Sequence, residues 1–175
     1  MSDSLSSDQE SNSTPTRSRT ITWEDPQPEA EARRHMSGLA FLQSIISGEL
    51  PAPPIAATLG FRLAEVAPGQ VVFVVQPAEY HYNPIGVVHG GLAATLLDSC
   101  MSCAVQSTLP AGVGYTTLEL KVNFIRPITL GTGELRAEGA VVHAGGKTAT
   151  AEGRLLDQAG KLYAHGTTTC IILRS

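Results

Sequence analysis

The most constraining feature of this sequence is a single acidic residue inside an apolar, helix-forming segment. Between Glu79 and Glu119 the only formally charged side chain is Asp98. A carboxylate among small and apolar residues is costly to desolvate unless it is paired or has a function. The same segment begins with a His-Gly-Gly turn at residues 89–91. A helix N-terminus and a lone acid therefore share one element, which makes Asp98 a candidate functional residue.

Size and charge limit the classes of protein to consider. The 175 residues suit one domain of ordinary size with a terminal extension. The formal net charge is -4 and the basic residues are scattered, which argues against a nucleic-acid surface. No apolar run approaches the roughly 18 residues of a membrane span, and no signal segment opens the chain. We therefore predict a cytoplasmic protein that binds neither nucleic acid nor membranes.

The cysteines do not predict a metal or redox site. Cys100 and Cys103 have the Cys-x-x-Cys spacing, but no second pair or His cluster completes a zinc site. A redox pair usually lies at a helix N-terminus, where the dipole favours the thiolate, whereas these two lie deep in the predicted helix. We interpret them, together with Cys170, as buried packing residues, and we expect no cofactor.

Three parts follow one another along the chain. Residues 1–27 are rich in Ser and Thr and are predicted to be a disordered tail. Residues 28–54 contain an N-terminal helix and a Pro-rich connector, with apolar residues such as Met36 and Ile45 at helical spacing. We expect this helix to pack on the core of a globular domain formed by residues 55–175.

The domain has the pattern of an α+β fold. A helix at about 90–107 is inserted among about five to six antiparallel strands. Ala149, Ala151 and Gly153 alternate along one strand and leave room for a helix to lie close to the sheet. The predicted strands are Gly60–Val66, Val71–Gln76, Thr117–Ile125, Glu134–His143, Thr148–Leu156 and Leu162–Leu173.

The strand at 117–125 shows the clearest alternation. Its apolar positions from Leu118 to Phe124 recur at every second residue, which is typical of a half-buried antiparallel strand. This pattern predicts that Thr117 and Glu119 lie together on the opposite face.

Three motifs together resemble the hotdog-fold acyl-CoA thioesterases, and are most similar to the PaaI-like branch of the phenylacetate-degradation thioesterase. They are Asn83-Pro84-x-Gly86-x-x-His89-Gly90-Gly91, then Asp98 nine residues after His89, then Asn123-Phe124-Ile125-Arg126-Pro127. The resemblance covers about residues 55–173. It implies a curved antiparallel sheet wrapped around one central helix, and a homodimer joined edge to edge. It also implies that two such dimers pair into a homotetramer.

The chemistry of thioester hydrolysis fits these residues. Attack on a thioester places negative charge on the carbonyl oxygen, which a free helix N-terminal amide at Gly90 or Gly91 can bind. Asp98 would act as a general base that activates water, or alternatively as a nucleophile that forms a mixed anhydride. Eight residues separate Gly90 from Asp98, or about 12 Å along a helix. One thioester cannot contact both, so we expect a site that combines Gly90 of one chain with Asp98 of another.

The resemblance assigns further residues to the site. Asn83 would orient the water or the thioester, His89 would hold the loop, and Thr117 would help to hold the water. Residues implied to bind acyl-CoA are Gly91, Arg126, Gly146 and Lys147.

Two alternative functions stay open at this point. One is a hotdog hydratase or dehydratase, which would change the unsaturation of an acyl chain without releasing a thiol. The other is a non-catalytic acyl-CoA binding module, because a fold does not determine a function. No motif identifies the acyl group.

Overall fold

The structure is a computed structural model and describes residues 15–174. The helices are α1 (Gln27–His35), α2 (Gly38–Ser47), α3 (Pro54–Leu59) and α4 (Gly90–Gln106). The strands are β1 (Phe61–Ala67), β2 (Gln70–Val75), β3 (Val113–Phe124), β4 (Leu135–Ala144), β5 (Thr148–Asp157) and β6 (Leu162–Arg174). Within the described range, no helix has the length and apolar character needed to cross a membrane.

All six strands form one curved antiparallel sheet, in the order β1-β2-β4-β5-β6-β3. The long helix α4 lies against one face of this sheet. Glycines permit the close approach: a Cβ added at Gly139 would lie 2.3 Å from the Cys100 carbonyl oxygen, and one at Gly153 would lie 2.8 Å from Cγ of Met101. The predicted α+β hotdog fold, with small residues beneath one central helix, is confirmed.

The centre of the core is the sheet-facing side of α4. Leu97, Cys100 and Met101 are fully buried there, and Cys170 on β6 is buried as well. Burial raises the pKa of Cys103 to about 12. Burial also raises the pKa of the Cys100 and Cys170 thiols, which disfavours the reactive thiolate and fits the predicted packing role.

The N-terminal helical region differs from the prediction of one helix followed by a connector. Met36 is extended, and the Ser37 hydroxyl accepts a hydrogen bond from the Ala40 amide, so a second helix begins here. Gly38 lies directly against α4, where an added Cβ would be 1.7 Å from the Gln106 carbonyl oxygen. The break thus lets α2 approach the end of α4. A third helix, α3, begins at Pro54, the last residue of the predicted connector, and forms the start of the predicted domain.

Residues 15–26, which belong to the predicted tail, contact the domain through Arg19, whereas residues 1–14 lie outside the described part of the chain. Arg19 donates hydrogen bonds to the carbonyls of residues 57 and 58, at the C-terminal end of α3. Its guanidinium lies 3.9 Å from the centroid of the Tyr80 ring. The last carbonyls of a helix have no partner within the helix and favour a cationic donor. Arg19 therefore attaches this segment to the C-terminal end of α3. The predicted division into three parts stays a prediction.

Candidate active site

The helix α4 begins with a free amide. His89 caps the helix, and its Nδ1 accepts a hydrogen bond of 2.8 Å from the Gly91 amide. The Leu92 amide donates to the His89 carbonyl. Among the residues that the structure describes, no group accepts from the Gly90 amide. Of the two predicted donors, Gly90 is therefore available to a ligand, while the Gly91 amide is engaged by the cap.

Side-chain atoms of neighbouring residues lie close to both glycines at the start of α4. A Cβ added at Gly91 would lie 2.8 Å from Nδ1 of His89, so a larger residue there would require the capping imidazole to shift. A Cβ added at Gly90 would lie 3.1 Å from Cζ of Phe124. This phenylalanine at the end of β3 is 60% exposed. Its ring therefore borders the free amide.

Asn83 forms the turn that leads into α4. Its Oδ1 accepts from the Ile85 amide at 3.1 Å and from the Val87 amide at 3.4 Å. These contacts are typical of an Asx turn. Within the described part of the chain, the side-chain amide nitrogen donates to no group. Asn83 thus shapes the loop with its side-chain oxygen, and its side-chain N–H groups have no partner among the described residues.

His81 is a positioning residue that the sequence analysis did not single out. The buried ring accepts from the Ala78 amide at Nδ1 and donates from Nε2 to the Leu59 carbonyl at 2.7 Å. Its own carbonyl accepts from the His89 amide at 2.8 Å. Burial lowers the pKa of His81, which favours the neutral ring. A histidine in a short turn has no periodicity that could reveal this role.

A cavity of about 400 Å³ opens beside the start of α4. Asn83, Gly90 and Arg126 line it, together with apolar residues that include Ile128 and Tyr163. Arg126 is exposed and donates a hydrogen bond to the Leu162 carbonyl. The structure therefore brings three predicted site residues to one cavity.

Asp98 lies farther along α4 and contacts Thr117. The Thr117 hydroxyl donates to Oδ1 of Asp98 at 2.9 Å. Asp98 is partly buried and forms no ion pair with any residue from 15 to 174. An unpaired carboxylate held by a hydroxyl donor can still accept a proton from water.

The predicted alternation on β3 is wrong at Thr117. The β3–β6 register places Thr117 opposite Cys170 and Glu119 opposite Thr169, so Leu118 is an extra residue in a β-bulge. Leu118 is 58% exposed. The bulge separates Thr117 from the outward-facing Glu119 and turns Thr117 toward α4.

Gly146 and Lys147 lie far from Arg126, which is also predicted to bind acyl-CoA. The Lys147 carbonyl accepts from the Ile172 amide, near the end of β6, and the Gly146 carbonyl accepts from Nε of Arg174. Arg126 contacts the opposite end of β6, at residue 162. From residue 162 to residue 172 the strand rises about 33 Å. Within one chain these basic residues cannot hold the same phosphate.

Known proteins share both sequence and fold with this chain. Residues 85–164 match the thioesterase superfamily. Acyl-coenzyme A thioesterase 13 of Homo sapiens is 31% identical over 130 residues, which are 73% of this chain and 91% of that protein. The chain belongs to the thioesterase superfamily. It is accordingly a thioester hydrolase.

Solved structures agree with this assignment. A phenylacetic acid degradation-related protein from Ralstonia eutropha aligns with this thioesterase at a TM-score of 0.67 and 32% identity, over 74% of this chain and 98% of that chain. The PaaI protein of E. coli shares the fold, with a TM-score of 0.67 and 22% identity, over 79% of this chain and 96% of that chain. The predicted resemblance to PaaI-like thioesterases is confirmed.

The matched region of this thioesterase contains the central helix α4 and the strands β3, β4 and β5. Gly90, Asp98, Thr117 and Arg126 lie within residues 85–164, whereas α1, α2 and α3 precede them. Except for Asn83, the residues that line the cavity beside Gly90 lie within the matched region.

Proposed function

We propose that this thioesterase hydrolyses acyl-CoA to a free acid and coenzyme A at a site shared by two chains. The observation that carries the proposal is the position of two groups on α4. The free Gly90 amide lies at the helix start, and Asp98 lies eight residues later, or about 12 Å along the axis. The acyl-CoA substrate is inferred from relatives named acyl-coenzyme A thioesterase.

The proposed reaction uses Asp98 as the general base. Its carboxylate takes a proton from water while the water oxygen attacks the thioester carbon. The carbonyl oxygen becomes negatively charged and accepts a hydrogen bond from the Gly90 amide, whose helix dipole adds positive potential. The tetrahedral intermediate then breaks its C–S bond, and protonated Asp98 returns its proton to the leaving sulfur, which releases coenzyme A as the free thiol and restores the carboxylate. Asn83 supplies a side-chain donor beside the carbonyl.

The edge strand β3 supports a dimer of the required geometry. β3 has no strand neighbour on its outer side within the described sheet. Leu118 and Phe124 on β3, and Ile125 directly after it, are exposed large apolar residues. An exposed apolar edge favours pairing with a second strand. We infer that two copies of β3 pair antiparallel about a two-fold axis.

The proposed axis passes between residues 120 and 121. This register sets Thr117 opposite the partner's Phe124. Because Thr117 contacts Asp98 and Phe124 borders Gly90, the same register brings Asp98 toward the partner's Gly90. The pairing of two such dimers into a homotetramer stays a proposal.

Coenzyme A binding is also proposed to use two chains. Arg126 lies at the C-terminal end of β3, whereas the hairpin with Gly146 and Lys147 lies near the N-terminal end. Antiparallel pairing brings Lys147 of one chain to the same end of the joined sheet as Arg126 of the other. Both side chains are exposed cations that can meet phosphate groups.

The test is the release of free thiol from a panel of short, long and aromatic acyl-CoA esters. We expect turnover on at least one ester by the full chain. A change in acyl unsaturation without thiol release would favour a hydratase. Tight binding without turnover across the panel would favour a non-catalytic binding module. Either result would contradict the proposal.

A further inference from the structure

A second cavity, of about 330 Å³, lies beneath the N-terminal helices. Its walls come from α1, α2, α3, β1, β2 and the C-terminal half of α4. Asp98, Thr117 and Gly90 are not part of its lining. Most of the wall is apolar, and it includes Phe41, Ile45, Ala56, Leu63 and Phe73.

One polar group in this wall has no partner. Gln106 is 5% exposed, and its Oε1 accepts from the Tyr115 hydroxyl at 3.2 Å. Its Nε2 is buried without a hydrogen-bond partner among residues 15–174. Buried N–H groups almost always find an acceptor, because leaving one unpaired is costly. Since Gln106 lines the cavity, the missing acceptor can come from a ligand.

A cation lies at the same end of the cavity. Arg33 lines the cavity, and its guanidinium carbon is 5.8 Å from the centroid of the Tyr115 ring. Glu29 also lines it, one helical turn before Arg33. Burial raises the pKa of Glu29, which lessens its repulsion of an anion. The cavity therefore has an apolar end beneath α2 and α3, and a polar end at Gln106 and Arg33.

The polar end is separate from the proposed catalytic groups. Tyr115 and Thr117 are alternate residues on β3, and Tyr115 bonds Gln106 whereas Thr117 bonds Asp98. Asp98 and Gln106 are eight residues apart on α4, or about 12 Å along its axis. Tyr115 therefore contacts Gln106 in the wall of the cavity beneath the N-terminal helices, whereas Thr117 contacts Asp98 in the proposed catalytic site.

We propose that this cavity binds a free carboxylic acid with an apolar body, as a second ligand site. The carboxylate accepts from Nε2 of Gln106 and faces Arg33, and the hydrocarbon part lies against Phe41, Leu63 and Phe73. Ligand pockets commonly range over about 300–1,000 Å³, so this one suits a short or medium chain. Acids of this class are products of the proposed reaction, but binding here does not require that reaction.

Methyl NMR with sodium octanoate locates the site in the full-length protein. Ile45 lines this cavity, whereas Ile125 lines the cavity beside Gly90. We expect the Ile45 methyl signals to shift and saturate with octanoate. A response of Ile125 alone, or no response of either residue at millimolar octanoate, would overturn the proposal.

Two substitutions at the polar end test the recognition of the carboxylate. Gln106→Met removes the donor at similar size, and Arg33→Gln removes the cation; each should weaken octanoate binding about tenfold. Arg33→Gln should leave the affinity for 1-octanol unchanged. Matched controls are Gln43→Met and Arg34→Gln, whose exposed side chains are outside the cavity lining. Equal effects of controls and test variants, or unchanged octanoate affinity in both test variants, would contradict the assignment.

A third substitution tests the proposal even if Gln106→Met does not fold. Ala52 is exposed and lines the cavity, so Ala52→Phe fills the apolar end and leaves the polar end intact. It should abolish octanoate binding at Ile45 without lowering the thermal stability. Normal octanoate binding in Ala52→Phe would overturn the proposal.

Discussion

Thr117 holds Asp98 through a hydroxyl-to-carboxylate hydrogen bond of 2.9 Å between β3 and α4. The bond uses Oδ1, and no described residue donates to Oδ2. One carboxylate oxygen is therefore oriented by a hydroxyl, while the other keeps its capacity to accept a hydrogen bond or a proton. This arrangement suits a general base, because the base must be oriented and must still accept a proton.

Asp98→Asn should abolish most of the activity. The amide keeps the size of the side chain but cannot take a proton, so kcat should fall by roughly 10²–10⁴. Thiol release and a thermal unfolding curve measure activity and folding. Glu152→Gln, at an exposed acid on β5, is the matched control and should be neutral. Near-normal turnover by folded Asp98→Asn would exclude Asp98 as the base.

Thr117→Val should lower kcat by about tenfold, because it removes the one donor that orients the carboxylate. Thr117→Ser keeps the hydroxyl and should retain most of the rate. A loss in kcat alone indicates that the Asp98 carboxylate is no longer oriented. A rise in KM indicates weaker substrate binding. Equal losses in the valine and serine variants would mean that the methyl group, rather than the hydroxyl, matters.

Gly90→Pro is a direct test of the free amide. Proline at the first helical position removes the N–H and is well tolerated, and the extended His89 (ψ 134) is compatible with a following proline. Loss of an oxyanion donor should reduce kcat by roughly 10²–10³. Gly90→Ala is the control for the close contact with Phe124, because it adds a Cβ but keeps the N–H. If alanine and proline reduce kcat equally, crowding explains the effect and the amide is not the donor.

Local patterns were sufficient to predict the sheet and the central helix. Each of the six observed strands overlaps its predicted range, because apolar alternation and turn residues are encoded locally. The helix α4 begins at Gly90 as predicted, since the His-Gly-Gly turn marks its start.

Features that depend on distant contacts were not predictable. The break before Gly38 reflects its contact with Gln106, which is remote in sequence. The bulge at Leu118 depends on the register with β6 and reverses the direction of Thr117. Gln106 gave no signal of its own, because a glutamine at the end of an amphipathic helix is ordinarily exposed.

The buried His81 should make stability depend on pH. Burial lowers its pKa in the folded chain below the ordinary value of 6.5. Between the folded and unfolded pKa values the unfolded state binds more protons, so the free energy of unfolding rises with pH. The stabilisation is therefore complete above about pH 6.5 and is lost as pH falls through the folded pKa. Melting temperatures from pH 5 to 8 measure this slope.

His81→Asn should flatten that slope, whereas His143→Asn, at an exposed histidine, should not. Parallel curves for wild type and His81→Asn would show that His81 does not titrate on unfolding.

Mixed dimers test whether each site uses two chains. One chain carries Gly90→Pro and the other carries Asp98→Asn, and different affinity tags isolate the heterodimer. If a site combines Gly90 of one chain with Asp98 of the other, one site is intact and the other holds both lesions. The heterodimer should then recover about half of the wild-type rate, because about 12 Å of helix separates the two groups within a chain.

A reversed arrangement of the same lesions provides the control. A chain that carries both Gly90→Pro and Asp98→Asn is paired with a wild-type chain. In a cross-chain site each centre now holds one lesion, so this heterodimer should be nearly inactive. A site built within one chain gives the opposite pair of results: half activity here and none in the first heterodimer. The two heterodimers contain the same substitutions in the same number, so only the assignment of Gly90 and Asp98 to chains can explain a difference between them.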